Sequence, residues 1–388
     1  MRPIRPSHAV RTLALAALLG PALLLHTPRL AGARDLTQPP SGDNQKCSVS
    51  QGIGLVTVRI DYSSPDVHAP DGRDRHGKIW GELVPYGLSD LGYNDCKSCP
   101  WRAGANENTV FTVSHDVKIE GQPLAAGAYG LHMIAGKEEW TIIFSKNSTS
   151  WGSFWYDPSE DALRVQVRPA AAPYHEWLTY EFTDRQTDHA TVALMWEDLQ
   201  VPIRITVDDM PGLYIARMRA DLRDSPAFSW TSWNAAAQYC LQNNRNLEEA
   251  QRWAQRAIDD PFNGSANFTT LTTLAQVQLA NGKDADASRS IDEAMRMPGL
   301  KPAQVHTFAR QLQAQGKRAH AFRVFQANAK MFPGQWPTSL GLARGYADQG
   351  DMKSALTWAK KALADAPDDP NRRNVQSFIE TLQAPARR

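Results

Sequence analysis

The residues best suited to chemistry are two cysteines three apart, Cys96-Lys97-Ser98-Cys99. That spacing serves a redox pair, half of a zinc site, or a small loop-closing disulfide. A redox pair places its first thiol at the start of a helix in a βαβ unit, where the dipole lowers the thiolate pKa. Here Pro100-Trp101-Arg102-Ala103-Gly104 and then a strand-like run follow, which leaves no room for such a helix. Zinc needs two more ligands, and the other cysteines are Cys47, far upstream, and Cys240, inside a helical pattern. The preferred reading is a disulfide joining Cys96 and Cys99 in an oxidising compartment. No metal and no cofactor is implied.

Beside the pair lies a polar group around a large ring: Trp101, Arg102, Asn106 and Glu107, with His132 as a possible fifth member. Gly104 among them allows close backbone approach, so this is the candidate ligand site of the N-terminal half. The competing reading is an internal Arg102–Glu107 ion pair with Asn106 capping a turn. Tyr174-His175-Glu176 and His132 have acid–base capability but read first as structural or surface groups. Asp208-Asp209 reads as a solvated pair that helps start a helix, with a bound cation as the alternative. The chain has no Gly-x-Ser-x-Gly elbow, no His-Glu-x-x-His helix and no Gly-rich phosphate loop before a helix, so no catalytic residue is assigned.

The elements that must position these residues change rhythm near residue 210. Between Cys47 and Val207 the period is two: Val56, Val58, Ile60 and Tyr62 alternate with Thr57, Arg59 and Asp61. Further strands are predicted over 109–117, 128–134, 139–145, 163–168, 176–183, 190–197 and 201–207. Turn residues such as Glu120-Gly121-Gln122-Pro123 and Ala135-Gly136-Lys137 separate them. Eight short strands without helices predict an antiparallel β-sandwich over 47–208.

Past Pro211 a 34-residue period appears, with Asn281-Gly282-Lys283, Gln315-Gly316-Lys317 and Gln349-Gly350-Asp351 in register. Leu274, Phe308 and Leu342 repeat with it, each followed by an alanine that lets paired helices approach. An earlier, looser unit runs from about Thr231 to Pro261. The expected architecture is multi-domain, β then α: the sandwich followed, over 212–384, by a tetratricopeptide-like α-solenoid of four units and a closing helix at Asn371–Leu382. Gln276, Arg310 and Arg344 share one repeat position and form a ladder on one face. With Tyr239 and His306 they make a candidate peptide groove suited to carboxylates; the alternative is solvated surface charge or a face packed against the β domain.

The 42 Lys and Arg balance 41 Asp and Glu, so nothing in the overall charge calls for nucleic acid. At the N-terminus Arg2, Arg5 and Arg11 precede the apolar run Leu13–Leu25 and then Ala31-Gly32-Ala33. This predicts a signal peptide over 1–33, a flexible lead-in over 34–46, an extracytoplasmic location and no membrane span after cleavage.

Several motifs resemble one family. Gly81-Glu82-Leu83-Val84-Pro85-Tyr86-Gly87, Trp101-Arg102-Ala103-Gly104-Ala105-Asn106-Glu107 and Leu124-Ala125-Ala126-Gly127-Ala128-Tyr129-Gly130-Leu131-His132 stand in order. With Glu139–Phe144 and Trp151-Gly152, they are similar to the bacterial domain of unknown function 2911, over roughly Ser48–Val207. The resemblance implies a secreted β domain and no established reaction. The chain departs from the family pattern by inserting Leu88–Pro100, which carries the cysteine pair. The overall expectation is a secreted binding or scaffold protein holding a protein or peptide partner. The alternative is an extracytoplasmic enzyme, as a thiol oxidoreductase or hydrolase, or a small-ligand binder with its site in the β domain.

Overall fold

The computed structural model describes residues 44–69, 71–93 and 96–384. The predicted signal peptide and most of the predicted lead-in lie outside the described residues. Among the described residues, ten strands precede ten α-helices, so the β-then-α architecture stands as expected.

The strands form two antiparallel sheets that do not close on each other. One has the order β1 (Gln45–Ile53), β2 (Val56–Ser64), β3 (Thr109–Val113), β6 (Gly127–Ile134), β7 (Trp140–Ser145) and β8 (Asp161–Val167). The other has the order β5 (Gln122–Leu124), β4 (Val117–Ile119), β10 (His189–Thr206) and β9 (Ala170–Thr183). The alternation read in β2 is the observed one, with Val56, Val58, Ile60 and Tyr62 buried. Trp80, Trp101, Trp140 and Trp196 meet mostly edge to face between the sheets, with centroids 5.2–6.3 Å apart. A third of the chain's 12 tryptophans therefore fills one core.

Several strand expectations need correction. The run 109–117 is broken at Ser114-His115-Asp116, and its halves β3 and β4 pair in different sheets. Gln122 and Pro123, read as turn, belong to β5, while Glu120 and Gly121 alone take the left-handed turn conformation. The segments 190–197 and 201–207 are one strand. Register shifts flank Glu197, whose φ is +55°, so a bulge produces the break that the alternation shows. Strand β1 was missed because Gln45 to Gly52 form an edge whose residues are exposed or half-buried, and such a strand carries no apolar period.

Helix α1 (Met210–Asp221) joins the halves. Asp209 caps it by accepting from the Gly212 N–H at 3.2 Å and also pairs with Arg245, while Asp208 pairs with Lys118 at 2.6 Å. The acidic pair thus starts a helix and makes ion pairs. Four antiparallel helix pairs follow: α2 (Trp230–Gln242) with α3 (Leu247–Asp259), α4 (Phe268–Ala280) with α5 (Asp284–Ala294), α6 (Pro302–Ala314) with α7 (Arg318–Met331), and α8 (Trp336–Asp348) with α9 (Met352–Ala364). Helix α10 (Asp369–Gln383) covers the end, burying Val375 and Ile379 against Leu340, Ala343, Ala359 and Ala362. This is a tetratricopeptide-like solenoid.

The 34-residue signature has a physical cause. Gly282, Gly316 and Gly350 have φ of +73°, +74° and +81°. The N–H two residues after each helix-capping residue returns to a carbonyl one turn back: Lys283 to Gln278 at 2.8 Å, Lys317 to Leu312 at 2.9 Å, Asp351 to Tyr346 at 3.0 Å. In the first unit the same closure runs from Arg245 to Cys240 at 2.9 Å, but Asn244, at φ +50°, takes the glycine's place. That substitution is why the first unit looks looser in sequence.

Candidate functional sites

The β-domain residues singled out by sequence fall into three settings. Trp101 and Arg102 line a cleft of about 320 Å³. Trp101 is held by a two-way backbone pairing with Met133 of β6, 2.8 Å in each direction, which lays the 100s segment beside β6 past the end of its pairing with β3. Leu83, Pro85, Leu91, Pro100 and Trp196 supply apolar walls. The disulfide Cys96–Cys99 is formed, and Cys99 pairs through its backbone with Ser89, itself a lining residue, at 2.9 and 3.0 Å. The inserted segment is therefore one wall of the cleft, braced by its disulfide.

Arg102 does not pair with Glu107. Its Nη1 donates to the Asn106 carbonyl at 2.6 Å and its guanidinium sits 4.9 Å from the Phe154 ring centre. Among the described residues no carboxylate lies within 4.0 Å of it. Burial pulls its pKa below the ordinary value. Asn106 serves through its backbone, at φ +56°, while its side-chain Oδ1 accepts from Asn44. Glu107 turns to the outer edge, where it pairs with Lys46 and accepts from Ser63 at 3.2 Å. Burial alone would raise its pKa, but the Lys46 contact together with the hydrogen bonds from the backbone and Ser63 lowers the carboxyl on balance.

His132 is buried behind Arg102. Its Nδ1 lies 2.8 Å from Ser153 Oγ, and its ring packs on Tyr156. Burial first, then the nearby Arg102 charge, lowers its pKa to about 4. A serine and histidine in contact invite a nucleophile–base reading, but the base must gain a proton and here both effects oppose that. Both side chains are also nearly inaccessible, at 2% and 1%. The pair instead fastens the 150s loop onto β6. Gly152 of that loop has φ +59°, and a Cβ there would run into the Arg102 guanidinium at 2.6 Å.

Tyr174 and Glu176 of the Tyr174-His175-Glu176 run form an exposed hydrogen-bonded group with His68: Tyr174 Oη donates to Glu176 at 2.5 Å and His68 Nδ1 lies 2.9 Å from it. Burial would raise the Glu176 pKa, yet the bonds from Tyr174 and His68 prevail and hold it at about 2. His175 instead lies 2.6 Å from the Pro173 carbonyl. Cys47 and Cys240 are free, and burial pushes the Cys240 thiol up to about 11. Among the described residues no group of three His, Cys, Asp or Glu is arranged to hold a metal ion.

In the helical half, Arg310 and Arg344 come together on the first helices of consecutive units, with His306 beside them. Burial, then repulsion from Arg310, lowers the Arg344 pKa to about 10; burial, then both arginines, lowers that of His306 to about 4. Arg344 Nε and His306 Nδ1 are buried without a hydrogen-bond partner. Among the described residues neither guanidinium has a carboxylate within 4.0 Å. Sequence reading missed Phe378, which reaches from α10 to lie 4.6 Å from the Arg344 guanidinium. Gln276 is one unit away, hydrogen-bonded to Gln315 at 2.8 Å. Tyr239 packs on Tyr214 of α1, centroids 5.7 Å apart, at the junction with the β domain. The ladder thus has its cationic part at α6 and α8.

The motifs quoted from the 80s to the 150s build the cleft and its supports, and the family comparison covers that same stretch. Residues 44–205 match the family described as Protein of unknown function (DUF2911). The expected resemblance is borne out, and the residues lining the cleft fall within the stretch that this family model matches. No curated protein matches the chain. Similar solved structures include YrrB, a TPR protein with an unusual peptide-binding site (18% identity, 44% of this chain and 84% of that one, TM-score 0.28). PcrH from Pseudomonas aeruginosa is 18% identical, with 30% of this chain and 92% of that one covered, at a TM-score of 0.24. Pseudomonas aeruginosa pilF is 16% identical over 44% of this chain and 75% of that one, at 0.27.

Proposed function

We propose that this chain is an extracytoplasmic, non-catalytic binding protein whose helical repeats hold a protein partner by its carboxylates. One observation carries the reading: two guanidinium groups on consecutive units repel each other around His306, and among the described residues neither has a carboxylate in ion-pair contact, Asp348 offsetting Arg344 only in part from farther off. Like charges held this close cost stability unless an anionic ligand joins them. The buried Arg344 Nε–H, a donor without an acceptor at the same place, points the same way. The disulfide supports the extracytoplasmic part, since such bonds persist in oxidising compartments. No helix among the described residues is long and apolar enough to cross a membrane.

Fluorescence anisotropy with a labelled tetraglutamate peptide tests the groove. The intact chain is expected to bind it, and Arg310→Glu with Arg344→Glu is expected to weaken binding at least tenfold, about 1.4 kcal/mol or more. A double variant that binds as well as the native chain would remove the proposal.

A further inference from the structure

We propose that the cleft beside Trp101 and Arg102 in the DUF2911 domain binds a small monocarboxylate carried on an aromatic or aliphatic body. This site is independent of the helical groove.

The walls dictate the body of the ligand. Leu83, Leu91, Pro100 and Trp101 present apolar surface to a cleft whose volume, about 320 Å³, lies in the small-molecule range. Leu83 remains 47% exposed at its lip. Nearby on the Phe154 side, Tyr93 (61% exposed) and Trp155 (48%) stack edge to face with Phe154, extending an aromatic surface beside Arg102. Large exposed rings grouped around a concavity mark a recognition surface more than a random one.

The charges dictate the head group. No acidic residue lines the cleft among the described residues, whereas Arg75 and Arg102 both do. Arg75 is already committed, pairing with Asp66 at 3.2 Å and donating to the Asp66 and Val67 carbonyls. Among the described residues Arg102 has one carbonyl partner and no carboxylate within ion-pair distance, so one positive charge is left for a ligand. Trp196, a lining residue, adds a buried indole N–H without an acceptor. A half-buried guanidinium and an unmet donor at one apolar cleft are satisfied together by a group with two acceptor oxygens and a single charge. A phosphate dianion would leave a negative charge unbalanced among apolar walls.

Isothermal titration calorimetry of the full mature chain with 3-phenylpropionate and its neutral counterpart 3-phenylpropanamide tests the site. The carboxylate is expected to bind about tenfold tighter or more, since a hydrogen bond to a charged group is lost in the amide. Arg102→Leu is expected to abolish that preference while the amide still binds. Leu83→Glu, a change at the exposed lip, is expected to weaken the carboxylate more than the amide. The proposal fails if the native chain binds the two probes equally, if it binds neither at millimolar concentration, or if Arg102→Leu leaves carboxylate binding intact. Should Arg102→Leu lose both probes, Leu83→Glu decides: selective loss of the carboxylate upholds the site, and equal loss overturns it.

Discussion

His132 and His306 are the two side chains whose protonation the fold opposes most plainly, each held near a pKa of about 4 by burial and by arginine neighbours. The unfolded chain takes up these protons near 6.5, before the folded chain does, so the stability from each neutral ring is complete above about pH 6.5 and drains away toward pH 4. The effect is about 3 kcal/mol at most per ring. Urea unfolding at pH 7 and pH 4.5 checks it. A clear fall is expected in the native chain, and His132→Gln should be less stable at pH 7 yet show a shallower fall. At this scale the sequence was partly legible. Trp101 and Arg102 were placed together because they are adjacent, and the tryptophan marked the cleft. Glu107 was misjudged as a partner for Arg102: the turn that Asn106 announces is left-handed and swings Glu107 to Lys46, and the residue type gives the turn but not the direction in which the chain leaves it. Phe378, Trp196 and Phe154 arrive from distant parts of the chain, and one sequence carries no signal for such meetings.

At the scale of elements, the helix-ending glycines make a testable pair with Asn244. A Cβ on Gly316 would meet nothing within 4 Å, so its requirement is conformational: φ is +74°. Gly316→Ala is expected to cost about 1 kcal/mol. Asn244, already left-handed at φ +50°, should gain a few tenths of a kcal/mol as Asn244→Gly. Equilibrium denaturation of the two variants checks the opposite signs. Helices were legible because this turn chemistry and the alanine spacing repeat in step. Strands were legible in kind but not in extent. Alternation tells which face of a strand is inward, not which sheet it joins, hence the single reading of β3 and β4; and a bulge at Glu197 looks like an end.

For the whole molecule, α1 makes the two halves one packed body at their boundary. Met210, Leu213 and Tyr214 pack on the β core, and a Cβ at Gly54, in the β1–β2 turn, would strike the Met210 sulfur at 2.4 Å. Tyr214 then touches Tyr239 of the first repeat. The proposed extracytoplasmic location is checked by mass spectrometry of the soluble chain from its native host: a mature protein beginning at Arg34 is expected, whereas one still beginning at Met1 contradicts it.

The contact of Phe378 with Arg344 has a consequence for how this array can lengthen. Solenoids grow by duplicating a unit, and the new copy must slot in ahead of the terminal helix. Here an insertion between α9 and α10 would carry the aromatic ring a full repeat away and leave Arg344 facing a different neighbour. Such a duplication would rewrite the cationic site in the same event, so gain of length at this end is coupled to change of recognition.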